Sequence, residues 1–284
     1  MSTQPADTVT ATLSYFTPPA DGSKPRFYNY EPPAGTPKLN YTDMAVKHVC
    51  QIENIRGAED ALSLDANGFQ FAKHASSVDY EKFNEDVDIE REYYPESIEL
   101  LKKLTGASKV VLFDHTVRRR REGVDGSDPK KRTPVPQVHV DQTPSASVNR
   151  VRQHLPEAEA TERLKHRFQI INLWRPLLHP ALDWPLAVCD YTSVNPKEDL
   201  APVELLYPDK VGETYGVKFN PAHKWKYLRG MTPEEVLLIK CYDSIEDGSV
   251  AVFTPHTAFE DPSTPKGSPY RESIELRALV FYDD

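Results

Sequence analysis

The 284-residue sequence predicts a mainly β (α+β) fold, a sandwich or jelly roll with flanking helices. Two observations favour it: many short apolar segments are separated by turn-forming residues, and only two stretches have a helical period. A chain of this length can form one domain, and neither a linker nor an internal repeat divides it. We therefore expect a single domain over residues 1–284. Within it, residues 1–10 would form a disordered tail, and residues 11–107 would supply strands and helices that pack on the core.

The strands are predicted from period-2 alternation and from short β-branched or aromatic runs between turns. In chain order they lie at 9–16, 68–71, 109–114, 134–140, 168–174, 186–190, 203–207, 225–228, 235–243, 250–253 and 274–282. The segment 43–51 is compatible with either a short strand or a helical turn. Residues 17–42 are rich in Pro, Gly, Asn and Tyr, which predicts an irregular loop.

The clearest helix is predicted over 79–84 and 90–104. Apolar side chains recur there on one side, at Tyr93, Ile98, Leu100, Leu101 and Leu104. Gly106 follows directly and is a suitable residue to end a helix. The segment 145–165 also has a helical pattern.

Charge and cysteine content narrow the class of protein. The formal net charge of −9 argues against a nucleic-acid-binding surface. One basic run, at 118–121 and 130–132, is better explained by a solvated loop than by contact with an anionic substrate. Cys50, Cys189 and Cys241 are odd in number and widely spaced, which argues against disulfides or a structural zinc site and favours a reducing compartment. With no apolar run of about 20 residues and no signal-peptide pattern at the N-terminus, a cytoplasmic protein is expected.

A metal site is predicted from two distant segments. His139 and Asp141 are two residues apart at the end of a strand, so their side chains would share one face. A His-x-Asp pair alone is common, but His256 follows a β run at a position where a second strand could return an imidazole to the pair. Two imidazoles and one carboxylate on one face of an octahedral ion leave three positions open, which is the coordination chemistry of non-haem Fe(II) oxygenases. His115 is the main rival, but it lies too early in the chain to match the pattern, so it is interpreted as a residue of the pocket or a support for the ligands.

An oxygenase of this kind also needs a cation for the distal carboxylate of 2-oxoglutarate. Arg271 and Arg277 would lie on one face of the last strand, with Ser273 and Glu275 between them. Arginine suits the role because its planar guanidinium pairs bidentately with a carboxylate and keeps its charge. We favour Arg271 as the anchor, with Ser273 as a hydroxyl partner. Arg277 could share the role or bind the other carboxylate, and the alternative for either arginine is a pair with Glu275 or Glu272.

Further blocks carry a resemblance to a known family. The most specific are Asn172-Leu173-Trp174-Arg175-Pro176-Leu177 and Pro255-His256-Thr257-Ala258-Phe259, and others lie at 106–108, 113–118, 139–142, 185–190, 231–236, 240–244 and 271–281. From about residue 10 to its end, the chain resembles the Fe(II)/2-oxoglutarate-dependent dioxygenase superfamily. It is most similar to the gibberellin-desaturase-like group of fungal hydroxylase/desaturases, which includes a component of cephalosporin methoxylation.

The resemblance implies a double-stranded β-helix (jelly-roll) core, with Fe(II) as the cofactor, 2-oxoglutarate as the cosubstrate, and O2. It implies hydroxylation or desaturation of a small specialised metabolite, coupled to oxidative decarboxylation of 2-oxoglutarate to succinate. Asn172 is a candidate for binding the cosubstrate. Candidates for the substrate pocket or for support of the ligands are Trp174, Arg175, Gln142, His115, Arg118 and Tyr242. Strand alternation places Arg175 opposite to Asn172 and Trp174, and it places Lys240 and Tyr242 on a common face.

Two alternatives stay open. One is a nucleic-acid or protein demethylase of the same superfamily, although the acidic charge argues against the nucleic-acid version. The other is a catalytically silent jelly-roll binding protein, which would not need the metal-binding set. The expected partner is a small-molecule substrate, and neither nucleic acid nor a membrane is expected to bind. The protein itself is expected to be a monomer or a homodimer.

Overall fold

The structure is a computed structural model that describes residues 7–124 and 131–283. Fourteen strands occur within these residues. They are β1 (Thr8–Thr17), β2 (Arg26–Tyr28), β3 (Thr42–Asn54), β4 (Phe69–Lys73), β5 (Lys109–Arg119), β6 (His139–Val140), β7 (Phe168–Pro176), β8 (Leu186–Cys189), β9 (Leu200–Leu206), β10 (Val211–Val217), β11 (Trp225–Tyr227), β12 (Glu235–Asp243), β13 (His256–Ala258) and β14 (Glu272–Phe281).

The helices are short apart from two. They are α1 (Leu64–Asn67), α2 (Asp86–Asp88), α3 (Tyr94–Thr105), α4 (Pro144–His154), α5 (Glu157–Arg163) and α6 (Pro196–Asp199), with a π-helical turn at Ile89–Tyr93 and 3-10 turns at Glu59–Ala61, Tyr80–Asn84 and Tyr191–Ser193. None of the helices in the described ranges is long and apolar enough to span a bilayer.

The strands form two sheets. The larger has the order β1-β3-β11-β8-β13-β6-β10-β9-β2, and the smaller has the order β4-β12-β7-β14-β5. Their inner faces pack together where Trp174 and Ile239 of the small sheet meet Val188 of the large sheet. This arrangement confirms the predicted mainly β fold.

The small sheet is covered on both faces, which explains its sequence. Its outer face packs against Leu100 and Leu101 of α3, and β7 and β12 are buried along their entire lengths. Strands buried on both faces lose the regular polar alternation of a half-exposed strand, so apolar residues stand side by side in both, as at Ile170-Ile171 and over 236–239. The small sheet is therefore a rigid platform, and three of its strands border the site described below.

The predicted helices are confirmed with changes at their ends. The stretch predicted over 90–104 begins as the π-helical turn and continues as α3, which ends at Gly106 with a φ of 74°. The stretch predicted over 145–165 is divided between α4 and α5, because Pro156 cannot continue a helix. The Thr143 side chain accepts a hydrogen bond from the Ala146 backbone nitrogen and fixes the start of α4, directly after the first metal segment.

Several predictions about the strands and the N-terminal tail are wrong. The strand predicted over 134–140 is shortened to β6, and β2 lies within the stretch 17–42 that was predicted to be an irregular loop. Thr8, Val9 and Thr10 pair with β3, so the expected tail cannot extend beyond residue 7; residues 1–6 lie outside the described ranges. The segment 250–253 is not a strand. Ala251 and Phe253 are buried there without ladder pairing, and the strand that follows is β13. Strand β10 lies in a stretch where no strand was predicted, because its pairing with β9 brings in polar residues that lack a clear β pattern.

The basic run is also not a solvated loop at its first three positions. β5 continues through Arg119 because it pairs with Glu272 and Ser273 of β14. Arg119 donates to the Glu272 carboxylate, and Arg120 is bound to Asp183. Lys130 lies outside the described residues.

Candidate active site

His139 and His256 are direct partners in the antiparallel pairing of β6 with β13. Their ring centroids are 4.4 Å apart. β6 and β13 are only two and three residues long, and each is held by a further neighbour, β10 beside β6 and β8 beside β13. The two imidazoles are thus placed side by side by the large sheet, although 116 residues separate them in the chain (140 to 255).

Asp141 follows β6 and completes the group. Its Oδ1 atom lies 3.3 Å from Nε2 of His139. One ligand atom from each of His139, Asp141 and His256 can be chosen so that all three lie within 4.8 Å of one another. The structure therefore brings together the three residues that the sequence placed in one metal site.

Both imidazoles are oriented by the backbone in the same way. Nδ1 of His139 donates to the Gln137 carbonyl at 2.7 Å, and Nδ1 of His256 donates to the Thr254 carbonyl at 3.1 Å. A carbonyl can only accept, so the proton of each neutral ring is on Nδ1 and the lone pair is on Nε2. This is the usual way in which metal-binding histidines are held in one tautomer.

Asp141 is held as a carboxylate by its surroundings. Asn172 Nδ2 donates to its Oδ2 at 2.7 Å, and Arg277 Nε lies 3.6 Å from the same oxygen. Burial alone would raise the pKa of Asp141, but the contact with His139 and the charge of Arg277 hold that pKa well below its usual value. Burial and the neighbouring His139 lower the pKa of His256, which favours a neutral ring. Both are the protonation states that metal binding requires.

A cleft of about 350 Å³, including its open mouth, lies over these three residues. Its other walls are formed by Arg118, Val135, Trp174, Leu186, Thr257, Ala258, Arg271, Glu275 and Arg277. The structure thus places Trp174, Arg118 and both candidate arginines at the site.

The two arginines have different environments. Arg277 already contacts three carboxylates: Glu275 at 2.6 Å, Asp114 at 3.0 Å and Asp141. Arg271 forms no ion pair within the described part of the chain; its Nη1 donates to the Trp184 carbonyl at 2.5 Å, and its Nε has no partner there.

Burial, followed by the nearby charge of Arg118, lowers the pKa of Arg271 to about 9. The Ser273 hydroxyl, two residues on, is also buried without a described partner. A buried cation without an anionic partner and a buried hydroxyl without a hydrogen-bond partner are both costly unless an anion binds to them.

Three candidates are not at the cleft, and their positions correct the predictions. Arg175 points to the opposite face of β7, as alternation requires, and bonds to His74 and to the Pro233 carbonyl. His115 is directed toward α2 and α3, where it contacts Asp86 and Tyr94. Tyr242 donates to Glu246 instead.

The prediction that Lys240 and Tyr242 share a face is wrong. The β12–β7 register shifts between these residues, so Cys241 is an extra residue that reverses the alternation. Lys240 bonds to Asp65 and Asp243 away from the cleft, whereas Cys241 points toward it, with its sulfur 3.9 Å from Asp141 Oδ2. The sequence interpretation missed Cys241; alternation from Lys240 alone would have placed it on the inner face.

A second, larger cleft borders the first at Asp141. It encloses about 830 Å³, including its open mouth, between α4 and the β9–β10 hairpin. Its walls are mostly polar and include Asn149, Arg150, Gln153, Tyr207 and Lys210. Gln142 lines this second cleft and is not among the residues that line the cleft over the metal-binding atoms.

Comparisons with known proteins agree with this geometry. A family model described as an oxidoreductase/YMDC permease-like domain matches residues 13–281. The chain is 38% identical to the hydroxylase/desaturase efuI of Hormonema carpetanum, over 98% of this chain and 96% of that protein. It is 33% identical to the Fe(II)/2-oxoglutarate-dependent dioxygenase nvfI of Aspergillus novofumigatus, over 94% of each chain.

The fold has a solved counterpart. A structure of the iron and alpha-ketoglutarate-dependent endoperoxidase NvfI superposes with a TM-score of 0.85 and is 29% identical in sequence. The match covers 98% of this chain and 99% of that one. The likeness confirms the predicted jelly-roll core.

Proposed function

Since the chain belongs to the family of Fe(II)/2-oxoglutarate-dependent dioxygenases that includes the fungal hydroxylase/desaturases, we propose that it hydroxylates or desaturates a small specialised metabolite. The predicted dependence on iron and 2-oxoglutarate is confirmed by this membership. In such enzymes 2-oxoglutarate is oxidatively decarboxylated to succinate. The names of the relatives include hydroxylase/desaturase and endoperoxidase. The family therefore shares its use of iron and 2-oxoglutarate, while the reaction on the substrate differs between members.

The residues at the site fit an iron ion. We assign His139, Asp141 and His256 as its ligands, because an ionised carboxylate converges there with two imidazoles whose Nδ1 atoms are bound to backbone carbonyls, which leaves Nε2 of each ring for the ion. Bound iron would supply the oxidising chemistry. The chain itself contributes the orientation of the imidazoles, the negative charge of Asp141, and a cleft that limits access of water.

Arg271 is the better candidate for the 2-oxoglutarate anchor. Its guanidinium is buried at the cleft without an anionic partner, whereas Arg277 is surrounded by three carboxylates. Ser273 would donate its unpartnered hydroxyl to the same carboxylate. Asn172 supports Asp141 through Nδ2 and has a buried Oδ1 without a described partner, so its proposed role is to position the metal-binding carboxylate.

The substrate is proposed to approach through the larger cleft, which reaches the site at Asp141, with Trp174 as an apolar wall of the inner cleft. The net charge of −9 supports a small molecule over nucleic acid, and therefore disfavours the nucleic-acid demethylase. A cytoplasmic location is supported by three free thiols, two of them buried. A monomer or homodimer stays a prediction.

One observation carries the proposal: three oriented metal ligands lie beside a buried arginine that lacks an anion. The test is conversion of 2-oxoglutarate to succinate by the purified chain, with and without Fe(II) and O2. We expect turnover that needs both, and none in His139→Ala or His256→Ala. His179→Ala, outside the cleft, is the matched control.

Binding of 2-oxoglutarate without turnover, even when candidate metabolites are supplied, would instead favour the silent binding protein. Turnover that persists in both histidine variants would overturn the ligand assignment.

A further inference from the structure

The guanidinium of Arg271 is held by a backbone carbonyl in an unusual conformation. Trp184, whose carbonyl accepts from Arg271 Nη1, has a φ of 45°, and among the described residues it is the one non-glycine residue with positive φ. This region costs an L-residue roughly 1–2 kcal/mol. Trp184 also precedes Pro185, which restricts its backbone further. Such a conformation persists only where the surroundings impose it.

Asp183 and Arg120 supply those surroundings. One oxygen of Asp183 accepts from the Arg271 backbone nitrogen at 3.1 Å, and the other binds the Arg120 guanidinium. Arg120 lies 5.6 Å from the Trp184 ring and 4.8 Å from the Tyr270 ring, and its backbone nitrogen donates to the Arg271 carbonyl at 2.9 Å. Contacts on both sides thus fix the backbone of Arg271 and the carbonyl that its side chain meets.

We propose that Asp183, Trp184 and Arg120 form a positioning group that orients Arg271 for the distal carboxylate of 2-oxoglutarate. The inference rests on the proposed function of Arg271. These three residues would act through Arg271, without touching the cosubstrate.

The geometry explains how the group would act. The Trp184 carbonyl engages Nη1 and leaves the edge formed by Nε and Nη2 without a described partner. Two parallel N–H groups on one edge are what a bidentate carboxylate contact requires. The carbonyl carries no full charge, so it holds the guanidinium in place without neutralising it. A carboxylate in the same position would compete with the incoming anion, as the carboxylates around Arg277 do.

The test compares two ligands by calorimetry, with Mn(II) in place of Fe(II) and without oxygen, so that no turnover occurs. One ligand is 2-oxoglutarate, and the other is 2-oxopentanoate, which keeps the 2-oxo acid but has a methyl group where the distal carboxylate would be. We expect Arg120→Met to weaken 2-oxoglutarate binding about 10-fold, an effect like that of losing a group that supports a metal ligand, and to leave 2-oxopentanoate binding unchanged. The exposed neighbour provides the control Arg121→Met, which should change neither.

A second variant covers the case in which Arg120→Met does not fold. Trp184→Gly accepts the φ of 45° and keeps the carbonyl, but it removes the ring on which Arg120 lies. The same selective loss is expected. Equal weakening of both ligands, or of neither, would overturn the positioning role. Failure of the unaltered protein to bind 2-oxoglutarate would refute the proposed function itself.

Discussion

His139 and His256 meet across one pair of strands and use the same local contact, each donating Nδ1–H to the carbonyl two residues before it. The repetition matters because the two Nε2 lone pairs are then set by backbone geometry rather than by the ion. Metal binding has to order less of the chain when its ligands are already oriented. Asp141 is the exception, because its position depends on side chains from β7 and β14.

Asn172→Ala tests this dependence. The substitution removes the 2.7 Å hydrogen bond to Asp141 Oδ2 and should lower metal affinity by about 10–100-fold, the range found for groups that support metal ligands. Iron content after dialysis against a chelator series would measure it. Asn29→Ala, at an exposed position in the N-terminal loop, should have no effect. Equal iron retention in both variants would show that Asp141 does not need Asn172.

Substitutions of Arg271 and Arg277 should have different effects on cosubstrate binding and on stability. Arg271→Leu removes a charged hydrogen-bond donor to the cosubstrate, worth about 1.5–3 kcal/mol, so the KM for 2-oxoglutarate should rise by about 10–150-fold while stability changes little. Arg277→Met leaves Glu275, Asp114 and Asp141 without their shared cation, and loss of one partner of a buried pair costs about 3–5 kcal/mol. Urea unfolding and steady-state kinetics on both variants give the comparison. The reverse pattern would make Arg277 the anchor.

The sequence predicts the parts of the fold that depend on local pattern. Runs such as 168–174 and 235–243 are long enough for burial on both faces to be visible, and Gly106 marks the end of α3. β13 was not predicted because its three residues form a strand only through β6 and β8.

The prediction of the site from sequence also fails where a contact depends on residues that are distant in the chain. His139, Asp141 and His256 could be chosen from residue chemistry. The sequence already favours Arg271 over Arg277, but the reason is visible only in the structure, where Asp114 of a distant strand is one of the carboxylates that surround Arg277. The orientation of Tyr242 depends on a bulge at Cys241 that leaves no mark in the sequence.

Acid should destabilise the fold partly through Asp243. Its carboxylate is fully buried and accepts from Arg167, Lys240 and Gln169. Burial opposes ionisation, but these donors prevail, and the pKa of Asp243 is lowered. The unfolded chain, with an Asp pKa of about 3.9, therefore takes up the proton first, so this stabilisation is complete above about pH 5 and is lost as pH falls through the lower folded pKa.

Asp243→Asn should thus cost about 3–5 kcal/mol at pH 7 and flatten the decline of stability below about pH 4. Unfolding by urea at a series of pH values measures both effects. Asp209→Asn, in the exposed β9–β10 turn, should leave the curve unchanged. An Asp243→Asn curve parallel to that of the unaltered protein would assign the acid sensitivity to other carboxylates.

A substitution at Gly68 should lower both the stability of the fold and the affinity of the metal site. Its φ of 89° disfavours any side chain, and a Cβ there would collide with the Thr254 hydroxyl and lie 2.8 Å from the Phe253 carbonyl oxygen. Thr254 in turn donates to the Gly68 carbonyl and supplies the carbonyl that holds His256 Nδ1. Gly68→Ala must therefore displace the segment that orients His256. We expect a loss of about 2–5 kcal/mol from backbone strain and overpacking together, with metal affinity lowered about 10-fold.

Gly35→Ala separates the two effects, because Gly35 has a similar φ of 81° but open space around its Cβ position. It should show only the backbone strain, about 1–2 kcal/mol, with unchanged metal binding. Thermal unfolding without metal and titration with Mn(II) measure the two quantities independently. If Gly68→Ala binds Mn(II) as tightly as Gly35→Ala does, the carbonyl of Thr254 does not control the orientation of His256, and the imidazole must be held by its strand pairing with His139 alone.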